Sequence, residues 1–196
     1  MAKVTWKPGT MLYPLPPVMV SCGTVEKPNI ITVAWTGITC SDPAMTYISL
    51  RPERFSYDII KTSGEYTINL TTERLAWAAD FCGVKSGRDT DKFRMMRLTP
   101  EQASQISAPM ISESPLSIEC RVEIIIKLGT HDMFLSKIIA VNADESLLDS
   151  RGVLHLEKAG LVAACHGRYF TMGREVGTFG YSVRKKKIDN KKKKRL

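Results

Sequence analysis

The strongest constraint on the fold is a pair of long strand-like segments in the second half of the chain. The first segment covers residues 116–128 and alternates between polar and apolar side chains from Ser117 to Ile124, and residues 133–141 form a second apolar-rich segment. The polar members of the first segment are Ser117, Glu119, Arg121 and Glu123. A period of two residues is typical of a strand in a sheet with one solvated face. Because only four residues separate the segments, they predict a long antiparallel hairpin.

A second informative stretch runs from residue 29 to residue 55. It predicts a strand over residues 30–35, a loop of small polar residues with a turn at 40–43, and a second strand ending at Ser49. Pro52 then favours a helix start beside Arg51, and the predicted helix covers residues 52–61. A cation at a helix entrance can bind a phosphate group. These residues alone predict a ligand pocket with a phosphate-binding end.

The remaining segments indicate a mainly β chain with short helices. Strands are predicted over residues 18–25, 65–70 and 161–165, and short helices are predicted after Thr71 or Thr72, after Thr90 and near residues 153–159. No GxGxxG motif follows a strand, and no βαβ spacing occurs in the first strands, which argues against a dinucleotide-binding Rossmann fold. Six or more short, mostly antiparallel strands predict a closed or split β-barrel.

The net charge of +8 comes entirely from the C-terminus. Residues 184–196 hold nine cations and one anion, which leaves 19 cations and 19 anions in the rest of the chain. We therefore expect one domain over residues 1–183 and a basic tail over residues 184–196. A neutral body argues against a nucleic-acid-binding fold, because phosphate contacts need a basic surface.

Cysteine content and hydropathy indicate in which cellular compartment the protein is expected. The five cysteines are odd in number, scattered, and contain no CxxC pair, so neither a disulfide framework nor a metal site is expected. The cysteines are expected to be buried or partly buried free thiols, and Cys40 differs from the others because it lies in the loop of the 29–55 stretch. No run of about 20 apolar residues and no signal-like N-terminus is present, so we expect a cytoplasmic protein without a membrane partner.

Five segments occur in an order that resembles a known family. They are NIITVAWTG with the SDP turn, ISLRPERFSYDII with EYTINL, FCGVKSGRDTDKF, GTHDMFLSKI and HGRYFTMG. The set resembles the flavin reductase-like, FMN-binding split-barrel family, in its flavoredoxin-like branch. The resemblance implies a bound FMN, a homodimer with the flavin sites at its interface, and NAD(P)H or a redox protein as electron partner.

The resemblance also assigns cofactor-binding residues at matching positions. The ring end comprises Asn29, Thr32, Ala34, Trp35 and Thr36. The ribityl and phosphate end comprises Ser49, Leu50, Arg51 and Arg54, and a second phosphate-side loop contributes Ser86, Gly87, Asp91 and Lys92. His131 and Tyr169 are placed near the ring.

Several of these assignments have structural alternatives. Arg54 and Lys92 are also compatible with solvated helix positions, and Trp35 with ordinary core packing. His131 lies at a turn, and packing alone explains Tyr169 equally well. These alternatives stay open at the level of sequence.

The implied function is a redox flavoprotein, either an electron carrier or an NAD(P)H:flavin oxidoreductase. In this chemistry hydride passes directly from NAD(P)H to the flavin, so no catalytic acid or base is assigned. The alternative is a non-enzymatic split-barrel binding protein, whose basic tail engages nucleic acid or an acidic partner.

Overall fold

A seven-stranded antiparallel sheet dominates the computed structural model, which describes residues 1–184. Its strands lie in the order β2-β1-β5-β8-β9-β4-β3. Their bounds are β1 Val18–Gly23, β2 Pro28–Val33, β3 Thr36–Ser41, β4 Ala44–Leu50, β5 Glu65–Asn69, β8 Leu116–Lys127 and β9 Asp132–Ala143. Two small two-stranded sheets pair β6 Pro100–Glu101 with β7 Met110–Ile111, and β10 Val162–Cys165 with β11 Arg168–Thr171.

The sheet curls into a barrel that remains open on one side. Its two edge strands, β2 and β3, are consecutive in the chain and are joined only by Ala34 and Trp35. The edges must therefore approach each other. The bond from the Ser49 amide to the Trp35 carbonyl, at 2.9 Å, extends the pairing of β3 with β4 by one residue toward this connection. Of the two predicted barrel types, the split form is the one observed.

Three short helices complete the domain: α1 Phe55–Ser63, α2 Ala76–Val84 and α3 Lys92–Met96. Helix α1 ends at Gly64, whose φ of 70° is left-handed and whose amide donates to the Ile60 carbonyl at 2.8 Å. Glycine adopts this conformation without steric cost, so it marks the end of the helix. Single 3-10 turns are formed by Glu73–Leu75, Glu145–Leu147, Leu156–Lys158 and Tyr181–Val183.

The two largest parts of the core lie on opposite faces of strands β1 and β2. Inside the barrel, buried side chains of β1, β2, β4, β5, β8 and β9 pack with Tyr57 and Ile60 of α1. Outside it, Met19 and Ile30 are covered by apolar residues of α2 and α3. The strand β2 is thus buried on both faces, and only its hydrogen-bonding edge is free to line a site.

Glu119 anchors the long loop between β6 and β7 to the sheet. Its side chain is fully buried, and it accepts four hydrogen bonds of 2.6 to 2.8 Å. The donors are the Ser104 amide and hydroxyl, the Gln105 amide and the Asn142 side chain. Burial alone raises the pKa of this carboxyl, but the hydrogen bonds outweigh it and lower the pKa.

Four local predictions differ from the structure. The small-residue loop after Trp35 is in fact strand β3, because it pairs with β4. Helix α1 starts at Phe55 and not at Pro52. Helix α3 is capped by Asp91, whose carboxylate accepts from the Arg94 amide at 3.0 Å, and not by Thr90. The helix expected near residues 153–159 is a single 3-10 turn.

Two predictions concern the membrane and the tail. Within residues 1–184, no helix is both long enough and apolar enough to cross a bilayer. Residues 185–196 lie outside the described residues, and the alternative function assigned to the basic tail falls on them.

Candidate functional site

The open side of the barrel forms a groove made of two adjoining cavities. One, of about 390 Å³, lies between the start of α1 and the loop before α3, and we call it the basic cavity. The other, of about 190 Å³, lies between β2 and β4 and contains Trp35 and His131, and we call it the aromatic cavity. Both are lined by Ile31, Arg51 and Arg54, so the groove is continuous. Its combined size is in the range of small-molecule sites.

The basic cavity is lined by five cations and one carboxylate. The cations are Arg51, Arg54, Lys85, Arg88 and Lys92, and the carboxylate is Glu53. The Arg51 guanidinium and the Glu53 carboxylate are 3.4 Å apart, and at least half of each side chain is exposed. Glu53 therefore neutralises little of the positive potential in the cavity. Phe55 and Ser56 also line the cavity as the first residues of α1, whose amides have no acceptor within the helix. The helix dipole reinforces the positive potential there.

Lys92 is the most unusual of these cations because it is buried. Only 5 % of it is exposed, and its ammonium group donates to the carbonyls of Ile30 at 2.6 Å and Cys82 at 2.8 Å. Burial lowers the pKa of Lys92, and within residues 1–184 no carboxylate is among the groups that perturb it. A buried ammonium without an anionic partner is unfavourable. The residue therefore fits a site that receives an anion from outside the protein.

The loop over the basic cavity packs closely against the sheet at Gly87. A Cβ atom there would overlap the Asn29 side-chain oxygen and would lie 2.7 Å from the Phe55 ring. The next residue, Arg88, donates to the Glu53 carbonyl at 3.2 Å, and its guanidinium lies 5.8 Å from the centre of the Phe55 ring. Glycine at position 87 thus lets the backbone of the loop form a wall of the cavity.

The aromatic cavity is formed by two rings that meet across the barrel opening. The Trp35 and His131 rings are 4.4 Å apart at 37°, and 39 % of Trp35 is exposed. Burial, followed by the charge of Arg51, lowers the pKa of His131 below its ordinary value. The imidazole is therefore neutral at neutral pH, and its Nδ1 lies 2.9 Å from the Thr130 hydroxyl.

A buried pair behind this cavity ties the histidine turn to helix α1. The Tyr57 hydroxyl donates to the Asp132 carboxylate at 2.6 Å, and both residues are buried. The hydrogen bond, followed by burial, raises the pKa of Tyr57 to about 12. The phenol thus stays protonated as a donor and holds the start of β9, next to His131, against the helix that follows Arg54.

Comparison with known proteins identifies the family. The family described as "Flavin reductase like domain" matches residues 10–163, most of the chain. The chain belongs to the flavin reductase-like family. The solved structures that are similar to the chain include two flavoredoxins. That of Desulfovibrio vulgaris (Miyazaki F) is 30 % identical, with a TM-score of 0.86 over 93 % of this chain and 100 % of its own. That of Methanosarcina acetivorans is 23 % identical, with a TM-score of 0.83 over 94 % and 100 %.

Another similar structure is that of an FMN-binding protein of Thermus thermophilus with bound 1-cyclohex-2-enone. It is 22 % identical, with a TM-score of 0.76 over 90 % of this chain and 99 % of its own. Below 25 % identity the likeness shows the fold alone. The predicted family and split-barrel fold are confirmed, and family membership supports a flavin-associated redox role.

Eleven of the family-based site predictions line the groove. They are Thr32, Ala34, Trp35, Ser49, Leu50, Arg51, Arg54, Ser86, Gly87, Lys92 and His131. Two others lie behind its wall. Asn29 is buried and donates to the Ser56 hydroxyl at 2.7 Å, and the Thr36 hydroxyl donates to the Tyr47 carbonyl at 2.6 Å. Both side chains are engaged within the protein.

The two remaining predicted residues lie outside the groove. Asp91 is exposed and caps helix α3. Tyr169 borders a neighbouring cavity of about 250 Å³, and its hydroxyl donates to Asp80 of α2 at 3.2 Å. That cavity shares Thr32 and Ala34 with the groove, so Tyr169 is adjacent to the aromatic cavity without lining it.

Several residues that line the basic cavity were not predicted from the sequence. They are Glu53, Phe55, Ser56, Lys85 and Arg88. A signal for Lys85 and Arg88 was present, because they flank the predicted Ser86-Gly87 pair in the same loop. Ser56 carries no such signal, since a serine in the first turn of a helix is common at many sites.

Proposed function

We propose that this chain binds FMN in the groove and acts as a redox protein, either a flavoredoxin-like electron carrier or an NAD(P)H:flavin oxidoreductase. The observation that carries the proposal is the polarity of the groove. At one end lies the buried Lys92 ammonium, which has no carboxylate partner within residues 1–184, and at the other lie the rings of Trp35 and His131, tilted at 37° to each other. A phosphorylated aromatic ligand needs this combination, and the 30 % identical flavoredoxin supports the choice of flavin.

In this proposal the phosphate of FMN occupies the inner part of the basic cavity. Lys92 would give it a charge-assisted bond from its remaining donor, and Arg54 would contribute a second cation. The amides at the start of α1 would complete the site, as at other anion-binding helix ends. The Ser86 hydroxyl also lines this cavity and can donate to a phosphate oxygen.

The ring of FMN would lie in the aromatic cavity. Trp35 and His131 would pack against it, and the free edge of β2 near Thr32 and Ala34 would present backbone groups to its polar rim. The neutral His131 can donate or accept one hydrogen bond without adding charge. Bound FMN supplies hydride and electron transfer, while the protein binds and orients it and tunes its surroundings.

The proposal includes a homodimer and a cytoplasmic location. Large apolar side chains are exposed on both terminal segments, among them Trp6, Leu12, Met172 and Phe179. A second copy would cover such surface, as exposed apolar patches commonly mark interfaces. All five cysteines are free thiols, which fits a reducing compartment.

Flavin retention tests the core of the proposal. The purified protein is mixed with excess FMN and desalted, and the protein fraction is examined for flavin absorbance and for flavin released by heat. We expect FMN to stay with the protein. Complete loss of flavin at micromolar protein concentration would contradict the proposal.

Anaerobic stopped-flow mixing then separates the two redox roles. Bleaching of the bound flavin by NADH or NADPH within seconds would establish the reductase role. Absence of bleaching by both, together with reversible reduction by dithionite, would establish the carrier role. Light scattering of the same sample gives the mass and tests the homodimer.

A further inference from the structure

The basic cavity holds more positive charge than one flavin phosphate neutralises. Five cations and one carboxylate line it, a formal excess of four. A phosphate monoester carries about −1.5 to −2 at neutral pH. About two positive charges therefore remain without a partner when the inner site is filled.

The cations fall into two layers with different exposure. Lys92 is buried on the inner side, whereas Lys85 and Arg88 are exposed on the loop at the rim. Arg88 is nevertheless held on the wall, by its bond to the Glu53 carbonyl and by the face of the Phe55 ring. A surface arginine fixed in this way has lost side-chain freedom before any ligand arrives, which favours binding.

A second phosphate can be added in two ways, which differ in charge. In a flavin dinucleotide both phosphates are diesters with one negative charge each, so its total equals that of the FMN monoester. A separate phosphate monoester brings a further charge of nearly −2. A dinucleotide that carries such a monoester also has a negatively charged diphosphate, so total charge alone does not select it. The position of Lys85 and Arg88, exposed together on the rim loop, suits the separate monoester.

We propose that Lys85 and Arg88 bind the 2′-phosphate of NADPH and make the protein prefer NADPH to NADH. The inference rests on the proposed function, because a nicotinamide must lie against the flavin ring to transfer a hydride. The rest of the dinucleotide then extends along the groove, from the aromatic cavity toward the rim of the basic cavity. Guanidinium groups suit this role because they donate two parallel bonds to a phosphate.

Redox-inert fragments test the proposal independently of turnover. The protein is saturated with FMN, and binding of 2′,5′-ADP and of 5′-ADP is measured by calorimetry. The test variant is Lys85→Gln/Arg88→Gln. The matched control is Arg94→Gln/Lys158→Gln, which removes the same charge from exposed positions that do not line the groove.

We expect wild type to bind 2′,5′-ADP at least about tenfold more tightly than 5′-ADP, as one or two charge-assisted bonds allow. The rim variant should remove most of this difference, with a smaller change in FMN affinity, while the control keeps it. Equal binding of the two fragments by FMN-loaded wild type would overturn the inference and leave FMN binding intact. Failure to load FMN would instead reject the proposed function.

A comparison of FAD with FMN tests whether Lys85 and Arg88 instead bind the second phosphate of a flavin dinucleotide. If wild type binds FAD more tightly than FMN, and the rim variant abolishes that preference, Lys85 and Arg88 recognise the dinucleotide form of the flavin. That result would overturn the NADPH assignment. Equal or weaker binding of FAD, unaffected by the variant, supports it.

Discussion

Replacing Lys92 by methionine isolates the contribution of one buried charge to ligand binding. Methionine fills nearly the same volume but removes the ammonium group. In the structure that group bonds two carbonyls and has a third donor left for a phosphate oxygen. A hydrogen bond to a charged group contributes about 1.5–3 kcal/mol. Since 1.4 kcal/mol is about tenfold in affinity, FMN should bind about 10- to 150-fold more weakly.

A comparison of FMN with riboflavin provides the assay. Riboflavin lacks the phosphate, so Lys92→Met should leave its affinity within about threefold of wild type, equivalent to less than one charge-assisted bond. Both dissociation constants are obtained from the quenching of flavin fluorescence. Arg94→Met serves as the control, because Arg94 lies on the same helix but outside the groove.

Two results would refute this reasoning about Lys92. An equal loss for FMN and riboflavin would mean that Lys92 acts only by supporting β2 and the end of α2. No loss for either ligand would mean that the phosphate lies elsewhere. Circular dichroism and urea unfolding of the variant show whether the fold is retained, since the two carbonyls lose a donor while a buried charge is removed.

Three further predictions concern groups behind or beside the groove. Arg51→Gln should raise the pKa of His131 toward its ordinary value, because a nearby positive charge is removed, and histidine proton NMR across a pH titration measures it. Tyr57→Phe should lower the free energy of unfolding by about 1–3 kcal/mol in urea, since Asp132 loses its buried donor. Glu119→Gln should be less stable than wild type by about 1.5–3 kcal/mol at neutral pH. Because hydrogen bonds lower the pKa of Glu119, this difference is present above the unfolded pKa and should close as the pH falls through the folded pKa.

Controls for these measurements exist in the same chain. His155 is held between Asp149 and Glu157, which raise its pKa, so its NMR titration should not respond to Arg51→Gln. Tyr47→Phe serves as the control for Tyr57→Phe, because no hydrogen bond of the Tyr47 hydroxyl is found within residues 1–184. A constant stability difference for Glu119→Gln from neutral pH to below pH 4 would contradict the argument about its pKa.

The parts of the fold that the sequence predicted are those with a strong local pattern. The long β8–β9 hairpin follows directly from the alternation after Leu116. The strand β3 was missed because Gly37 and its small neighbours have weak strand preference, and pairing with β4 decides their conformation. At Gly37 a Cβ would lie 3.3 Å from the Tyr47 ring, so the glycine is explained by a cross-strand contact that sequence cannot reveal.

The sequence predicted which residues line the candidate site better than it predicted how they are arranged. Motif order located most of the groove, but it could not show that Lys92 is buried, because that depends on α3 packing against β2. It also could not separate a ligand role for Asp91 from helix capping, since Thr90 and Asp91 are both capping residues. Tyr169 depends on where a distant hairpin docks, through the Leu15–Ala164 bridge.

The open barrel also bears on the behaviour of the protein without ligand. Unpaired strand edges are templates for intermolecular pairing, and proteins protect them with lysines, bulges and covering helices. Two of these devices occur here: Lys92 bonds the Ile30 carbonyl on β2, and β3 has an irregularity between Ile38 and Cys40. We therefore expect Lys92, which we assign to phosphate binding, also to limit intermolecular pairing at this edge. Replacement of Lys92 should make the ligand-free protein aggregate faster, and it should also lower the affinity for FMN.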